Sequence, residues 1–151
     1  MADASITQAI KYRRVNGEMV GKELVFTCTA ATANTFTTAS TDDGTGLHGR
    51  TISKEIFGWF VDQVTSNPGA TAPTAGLNVT LADEDGVDVL DGNGAALVHN
   101  TTSKSTYPGC DGMAKRHLVT GALTLNPDAA TANAQTVAVV VITVKFVRKV
   151  D

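Results

Sequence analysis

Two cysteines, Cys28 and Cys110, are too few for a disulfide framework, and neither sits in a CxxC or Cys/His spacing that suits zinc. Basic residues form no stripe that could neutralise phosphates, which disfavours non-specific nucleic-acid binding. The longest apolar run, VAVVVITV at 137–144, is too short to cross a bilayer, so no membrane segment is expected. The opening MADASITQAIKYRR lacks the apolar core of a secretory leader, and a soluble chain that folds in a reducing cytosol is expected. Without a secretory route, the sequons at Asn78 and Asn100 carry no expectation of glycosylation. His48, His99 and His117 share no HxxxH or HxH spacing, and no GxSxG elbow, Walker A loop or GxGxxG turn occurs. No period of 20–50 residues repeats, which excludes a solenoid or propeller.

Strong helix formers nowhere sustain a 3.6-residue period, whereas 22 Thr, 17 Val and 14 Gly favour pleated strands joined by turns. A chain of 151 residues is long enough for one domain with its own core. Residues 1–15 read as an N-terminal strand or extended arm, and 16–151 as a single domain. In EMVGKELVFTCTAA, Leu24, Phe26 and Cys28 share a face. Residues 34–50 are a short edge strand with a turn, or an exposed loop. In RTISKEIFGWFVDQVTS, Phe57, Trp59 and Val61 fall on one face and Ile56, Phe60 and Val64 on the other. That pattern predicts a central strand or an assembly face, and Gly58 with the β-branched residues argues against a helix. LNVTLAD and VDVLDG predict a hairpin across EDG, with Val87 and Val89 inward and Asp88 and Asp91 outward. AALVHN is a candidate short strand, 101–116 reads as loop, and HLVTGALTLNP reads as a strand. The last strand, 136–150, puts Ala138, Val140, Ile142, Val144 and Phe146 on one side, and its length predicts a tail projecting beyond the domain. Seven or eight strands imply an all-β fold, an antiparallel β-sandwich for which a jelly roll is one arrangement.

Five carboxylates crowd positions 83–91: Asp83, Glu84, Asp85, Asp88 and Asp91. An EF-hand from Asp83 would need glycine sixth, but glycine falls fourth, leaving only an irregular calcium site open. Asp83 and Asp88 could oppose each other as a glycosidase pair, yet no apolar pocket is evident that would separate their pKa values. The residues are better read as a charged hairpin that deters edge pairing. No catalytic residue, metal or cofactor is expected. Charge is uneven along the chain, with a net of 0 over 1–50, −6 over 51–100 and +3 over 101–151, a distribution that can steer protomers together. Cys28 is expected in the core and Cys110, in YPGCDG, in an exposed turn, with a bridge between them left open. Trp59, between Phe57 and Phe60, reads as core before it reads as a sugar platform.

VTSNPGATAPTAGLNVTLADEDGVDVLDGNGAAL (64–97), followed by GALTLNPDAATANAQTVAVVVITVKF, resembles a segment of small virion proteins of tailed bacteriophages. The likeness covers roughly residues 55–147. The chain departs from it at Leu77 and Asn78, in the 98–116 segment and in its basic C-terminal tail. The resemblance implies a non-enzymatic structural protein made in the bacterial host cytoplasm and resident in the virion. A capsid decoration or cement protein is expected, assembled as a homo-oligomer (taken as a trimer) on the major capsid protein and its neighbours. Strand addition by the terminal segments, 1–15 and 145–151, would reach neighbours, and the expected interface residues are Tyr12, Arg13, Arg14, Trp59, Lys145, Arg148 and Lys149. A neck, tail-completion or baseplate protein is the first alternative. The second is a glycan-binding module using loops 67–76 and 101–116.

Overall fold

The Val-rich C-terminal run forms the centre of the larger sheet. The computed structural model describes residues 4–31, 36–46, 49–69, 71, 73, 75–127 and 138–148. Strand β1 (Ser5–Val15) forms a hairpin with β2 (Glu18–Thr29), and after the two-residue β3 (Ala39–Ser40) and helix α1 (Ile52–Ile56) comes β4 (Phe60–Pro68). Strands β5 (Val79–Ala82), β6 (Lys104–Thr106), β7 (Gly109–Cys110), β8 (Met113–Ala114), β9 (His117–Leu118) and β10 (Thr124–Pro127) lead to β11 (Val139–Val147). The six-stranded sheet runs β1-β2-β11-β4-β6, with β9 also on β4. The three-stranded sheet runs β3-β10-β5, and β7-β8 is a separate hairpin. All pairings are antiparallel, and the two larger sheets enclose one core as an all-β sandwich.

Alternation decides which residues enter that core. Leu24, Phe26 and Cys28 of β2 are register neighbours of Val144, Ile142 and Val140 of β11, and all six are fully buried. Val61 and Val64 continue these rows on β4, and Val79, Leu81 and Leu125 face them from the smaller sheet. The outward face carries Thr7, Thr27, Val141 and Asn67 in one row and Ala9, Val25, Thr143 and Thr65 in the next. At Asp62 a bulge in β4 shifts the register against Lys145 and Phe146, which brings Val61 and Val64, expected on opposite faces, together into the core.

Several expectations are corrected. Residues 52–56 form a helix in place of the first half of a strand. Thr51 caps it, its hydroxyl accepting from the Lys54 N–H at 3.4 Å, and Gly58 at φ +81° turns the chain out of it. Gly58 thus stops the helix instead of forbidding it, and Phe57, 61 % exposed, lies off the strand. The N-terminal segment is a strand paired with β2 from Ser5 to Val15, not a free arm. The 101–116 stretch contains three short strands, and HLVTGALTLNP splits between the two sheets as β9 and β10. β11 is paired on both sides to Val147, so no tail projects before Arg148. Val137 and residues 149–151 lie outside the described residues.

The second half of the 78–97 hairpin is a single bridge, Ala82 to Asp88, followed by successive turns. Those turns press on β5: the Val79 N–H donates to Gly94 O at 2.9 Å, and a Cβ at Gly94 would lie 1.9 Å from Val79 O. Only glycine fits there. AALVHN likewise contributes only the Leu77–Val98 bridge.

Truncating the central rows should be costly. Phe26→Ala is expected to lower unfolding free energy by about 3–5 kcal/mol in urea denaturation, while Val15→Ala at an exposed position should stay within about 0.5 kcal/mol.

Candidate interaction surface

At the β1–β2 turn end, the core face of the large sheet stops being apolar. Register places Tyr12 beside Lys22 and Lys22 beside Phe146, so a lysine occupies a core position. Helix α1 closes over it and buries Glu55, only 3 % exposed. The Lys22 ammonium donates to Glu55 O and lies 3.5 Å from Glu55 Oε2. The Tyr12 hydroxyl donates to the same Oε2 at 2.9 Å, and Arg50 Nε stands 3.8 Å from Oε1. Lys22 Nζ is also 4.6 Å from the Trp59 ring centroid and 5.2 Å from that of Tyr12, with Arg148 5.2 Å from Trp59. Aromatic faces and a carboxylate thus replace the water a buried ammonium loses. Burial still holds the Lys22 ammonium below its usual range, against the pull of Glu55. Burial, reinforced by the bond to Glu55, pushes the Tyr12 hydroxyl above its own.

Three of the expected contact residues, Tyr12, Trp59 and Arg148, are therefore brought together around this cluster. Arg14 lies at its margin, 6.0 Å from the Tyr12 ring, and donates to Gly17 O at 3.3 Å. Arg13 and Lys145 lie on the opposite face, where Arg13 and Lys11 approach Glu23 at 3.7 and 3.3 Å. Lys149 lies outside the described residues. Sequence reasoning missed Lys22, Glu55 and Arg50. The signal for Lys22 was its parity: it shares the inward phase of Leu24, Phe26 and Cys28, a charge where alternation demands an apolar residue.

The acidic segment serves the backbone. Asp83 Oδ1 accepts from the Asp85 and Val87 N–H groups, both at 3.0 Å, and the turn closes through Gly86 N–H to Asp83 O. Asp88 Oδ1 accepts from Leu81 and Leu90, its Oδ2 from Gly92, and Asp91 Oδ2 from Gly112. Glu84 Oε1 accepts from the Thr120 hydroxyl, leaving Asp85 as the carboxylate with no hydrogen bond among the described residues. Asp88 is half-buried and Val87 is 59 % exposed, the reverse of the expected orientation at those two positions, while Val89 is buried as expected. Because Asp88 inserts between Leu81 and Leu90 to satisfy their amides, the strict alternation of a hairpin is lost. Asp83 and Asp88 are turn caps here, their carboxylates spent on backbone N–H groups.

Among the described residues no group of three or more His, Cys, Asp or Glu side chains could hold a metal ion. His48 lies outside those residues; His99 Nδ1 accepts from Thr101 and Thr102 N–H, and His117 Nε2 is buried with no partner among the described residues. Cys28 is fully buried, Cys110 is exposed on β7, and both are free. Trp59 precedes β4 and Pro68 ends it, so Trp59 is roughly 30 Å of strand away from the loop that begins at 69. The 101–116 stretch lies nearer, since Phe60 borders a depression with Gly109, Cys110, Lys115 and Arg116. Comparison with protein-family models, with curated proteins and with solved structures returns no match.

Removing one partner of the buried pair should expose its cost. Glu55→Ala is expected to destabilise by about 3–5 kcal/mol, and the paired change Lys22→Met with Glu55→Leu should recover most of that loss in the same denaturation assay.

The thiols give a second check. Burial pushes the Cys28 thiol up to about 12. The unfolded chain ionises first, near 9.0, so stability held below that pH falls as pH rises toward 12. At about pH 8 a thiol reagent should modify Cys110 alone in the native protein and both cysteines after unfolding.

Proposed function

We propose that this chain is a non-enzymatic structural protein of a tailed-phage virion, serving as a capsid decoration or cement protein on the major capsid protein lattice. The observation that carries this reading is the use made of the 83–91 segment. The residues most suggestive of chemistry are spent holding turns, and they lie in the stretch whose order resembles phage virion proteins. The outer face of the large sheet supports it too. Its central rows of Thr, Val, Ala and Asn carry no charge, and Lys11, Glu23 and Lys145 form a row at one end. Such a face suits burial against a protein lattice, where many copies strengthen weak single contacts.

Particles stripped of this protein are expected to lose resistance to heat and osmotic shock and to regain it when the protein is added back. Stripped heads as robust as intact ones would rule out the cement role. A copy number matching a single ring, instead of the capsid lattice, would move the protein to the neck or tail.

A further inference from the structure

The two edges of the large sheet are unlike. On one side, β4 is covered by three-residue β6 and two-residue β9, with a gap at Asp62 and Gln63. On the other, β1 offers an eleven-residue edge and, among the described residues, pairs only with β2. Short broken edges resist pairing, while a long regular one invites it.

Backbone polarity shows which groups that edge presents. The Ala30 N–H donates to Ala138 O at 2.8 Å, so Ala30 faces the β11 side. Alternation along β2 then turns Cys28, Phe26 and Leu24 toward β11, and Thr29, Thr27, Val25 and Glu23 toward β1. Val139 exchanges bonds with Gly69 and Thr71 on the β4 side, as the same alternation requires. Ser5, Thr7, Ala9 and Lys11, the register partners of that second set, spend their backbone groups on β2. Ile6, Gln8, Ile10 and Tyr12 therefore direct theirs outward, and among the described residues no backbone hydrogen bond reaches them from that side. Next to the edge, an open depression of about 580 Å3 separates Ser5, Ile6 and Gln8 from Thr37, Ala39 and Asp43, and the Gln8 side chain crosses to donate to Ser40 O. Lys11 and Arg13, the charges that could guard the edge, are drawn toward Glu23 on β2.

We propose that this edge pairs antiparallel with β1 of a second copy, about a two-fold axis at Ala9, making one sheet continuous across a dimer. In this register Ile6 faces Tyr12 and Gln8 faces Ile10, so all four outward residues exchange backbone hydrogen bonds. Thr7 faces Lys11 and Ser5 faces Arg13, so each cation meets a hydroxyl and no like charges oppose. The pairing uses the whole regular stretch from Ser5 to Arg13 and ends where a bulge separates Arg13 from Arg14. An axis at Lys11 would set that lysine against itself. The strand is thus self-complementary, neutral in its first half and basic in its second, which selects a second copy over an unrelated strand.

The test uses the isolated full chain in analytical ultracentrifugation and stands apart from the virion reading, since no particle is involved. Thr7 is exposed on the outer face, so substitutions there should leave the circular dichroism spectrum intact. The wild-type chain is expected to dimerise. Thr7→Lys, which opposes Lys11 twice across the axis, should raise the dimer Kd by on the order of tenfold, and Thr7→Glu should lower it comparably. A chain that stays monomeric at every concentration reached overturns the proposal. So does a dimer whose Kd is indifferent to the sign of charge at position 7, which would place the contact elsewhere.

Discussion

The insertion of β11 between β2 and β4 is the constraint on which the rest of the molecule depends. The last described strand of the chain is hydrogen-bonded on both sides along its full length, so the sheet has no continuous centre until it is in place. Its inward residues Val140, Ile142, Val144 and Phe146 form the middle row of the core, flanked by β2 and β4. These are contacts of large sequence separation, between residues 21–29 and 139–147, so the loop entropy of closing the chain must be met before the hydrophobic gain is realised. The hairpin β1–β2 is local by comparison, and it becomes the sheet's long outer margin because β11 has taken the other side of β2.

The buried ionic cluster marks where this apolar layer ends. One residue of slip would carry Lys22 from the core side to the outer face, away from Glu55, Tyr12 and Trp59. Such a pair contributes little net stability against an apolar replacement, because desolvation offsets attraction. It does make the aligned register the one in which no buried charge is left alone. Helix α1 is short for independent stability, and here it is held by its buried Ile52 and Ile56 and by the ties from Glu55 to two strands. Arg148, just past β11, stacks on Trp59 and brings the chain's C-terminal side into the same cluster.

The all-β class, the inward sets of β2 and β11 and the buried Cys28 were legible in the sequence because each follows from composition or from a period of two within one strand. The helix at 52–56 was not, since five residues are too few to display a 3.6-residue period, and Gly58 reads alike as a strand breaker or a helix stop. The acidic segment was legible as a turn but not in its orientation. Hydrogen bonding of Asp88 to Leu81, Leu90 and Gly92 overrides the alternation that would have sent Val87 inward. Of the contact residues expected, Tyr12, Trp59 and Arg148 converge, while Lys145 and Arg13 fall on the other face by parity alone.

The sequence by itself determined which residues share a face in the unbroken stretches of β2 and β11, because alternation is a local property of extended backbone. In β4, by contrast, the bulge at Asp62 brings Val61 and Val64 to one face. It also determined that the 83–91 carboxylates lie at a turn, because Asp and Gly impose turn geometry within a few residues. Which strands neighbour one another, which edge stays open and what surrounds Lys22 were decided only by the tertiary structure. Pairing joins residues more than a hundred positions apart, and its free energy depends on partners that no local window contains.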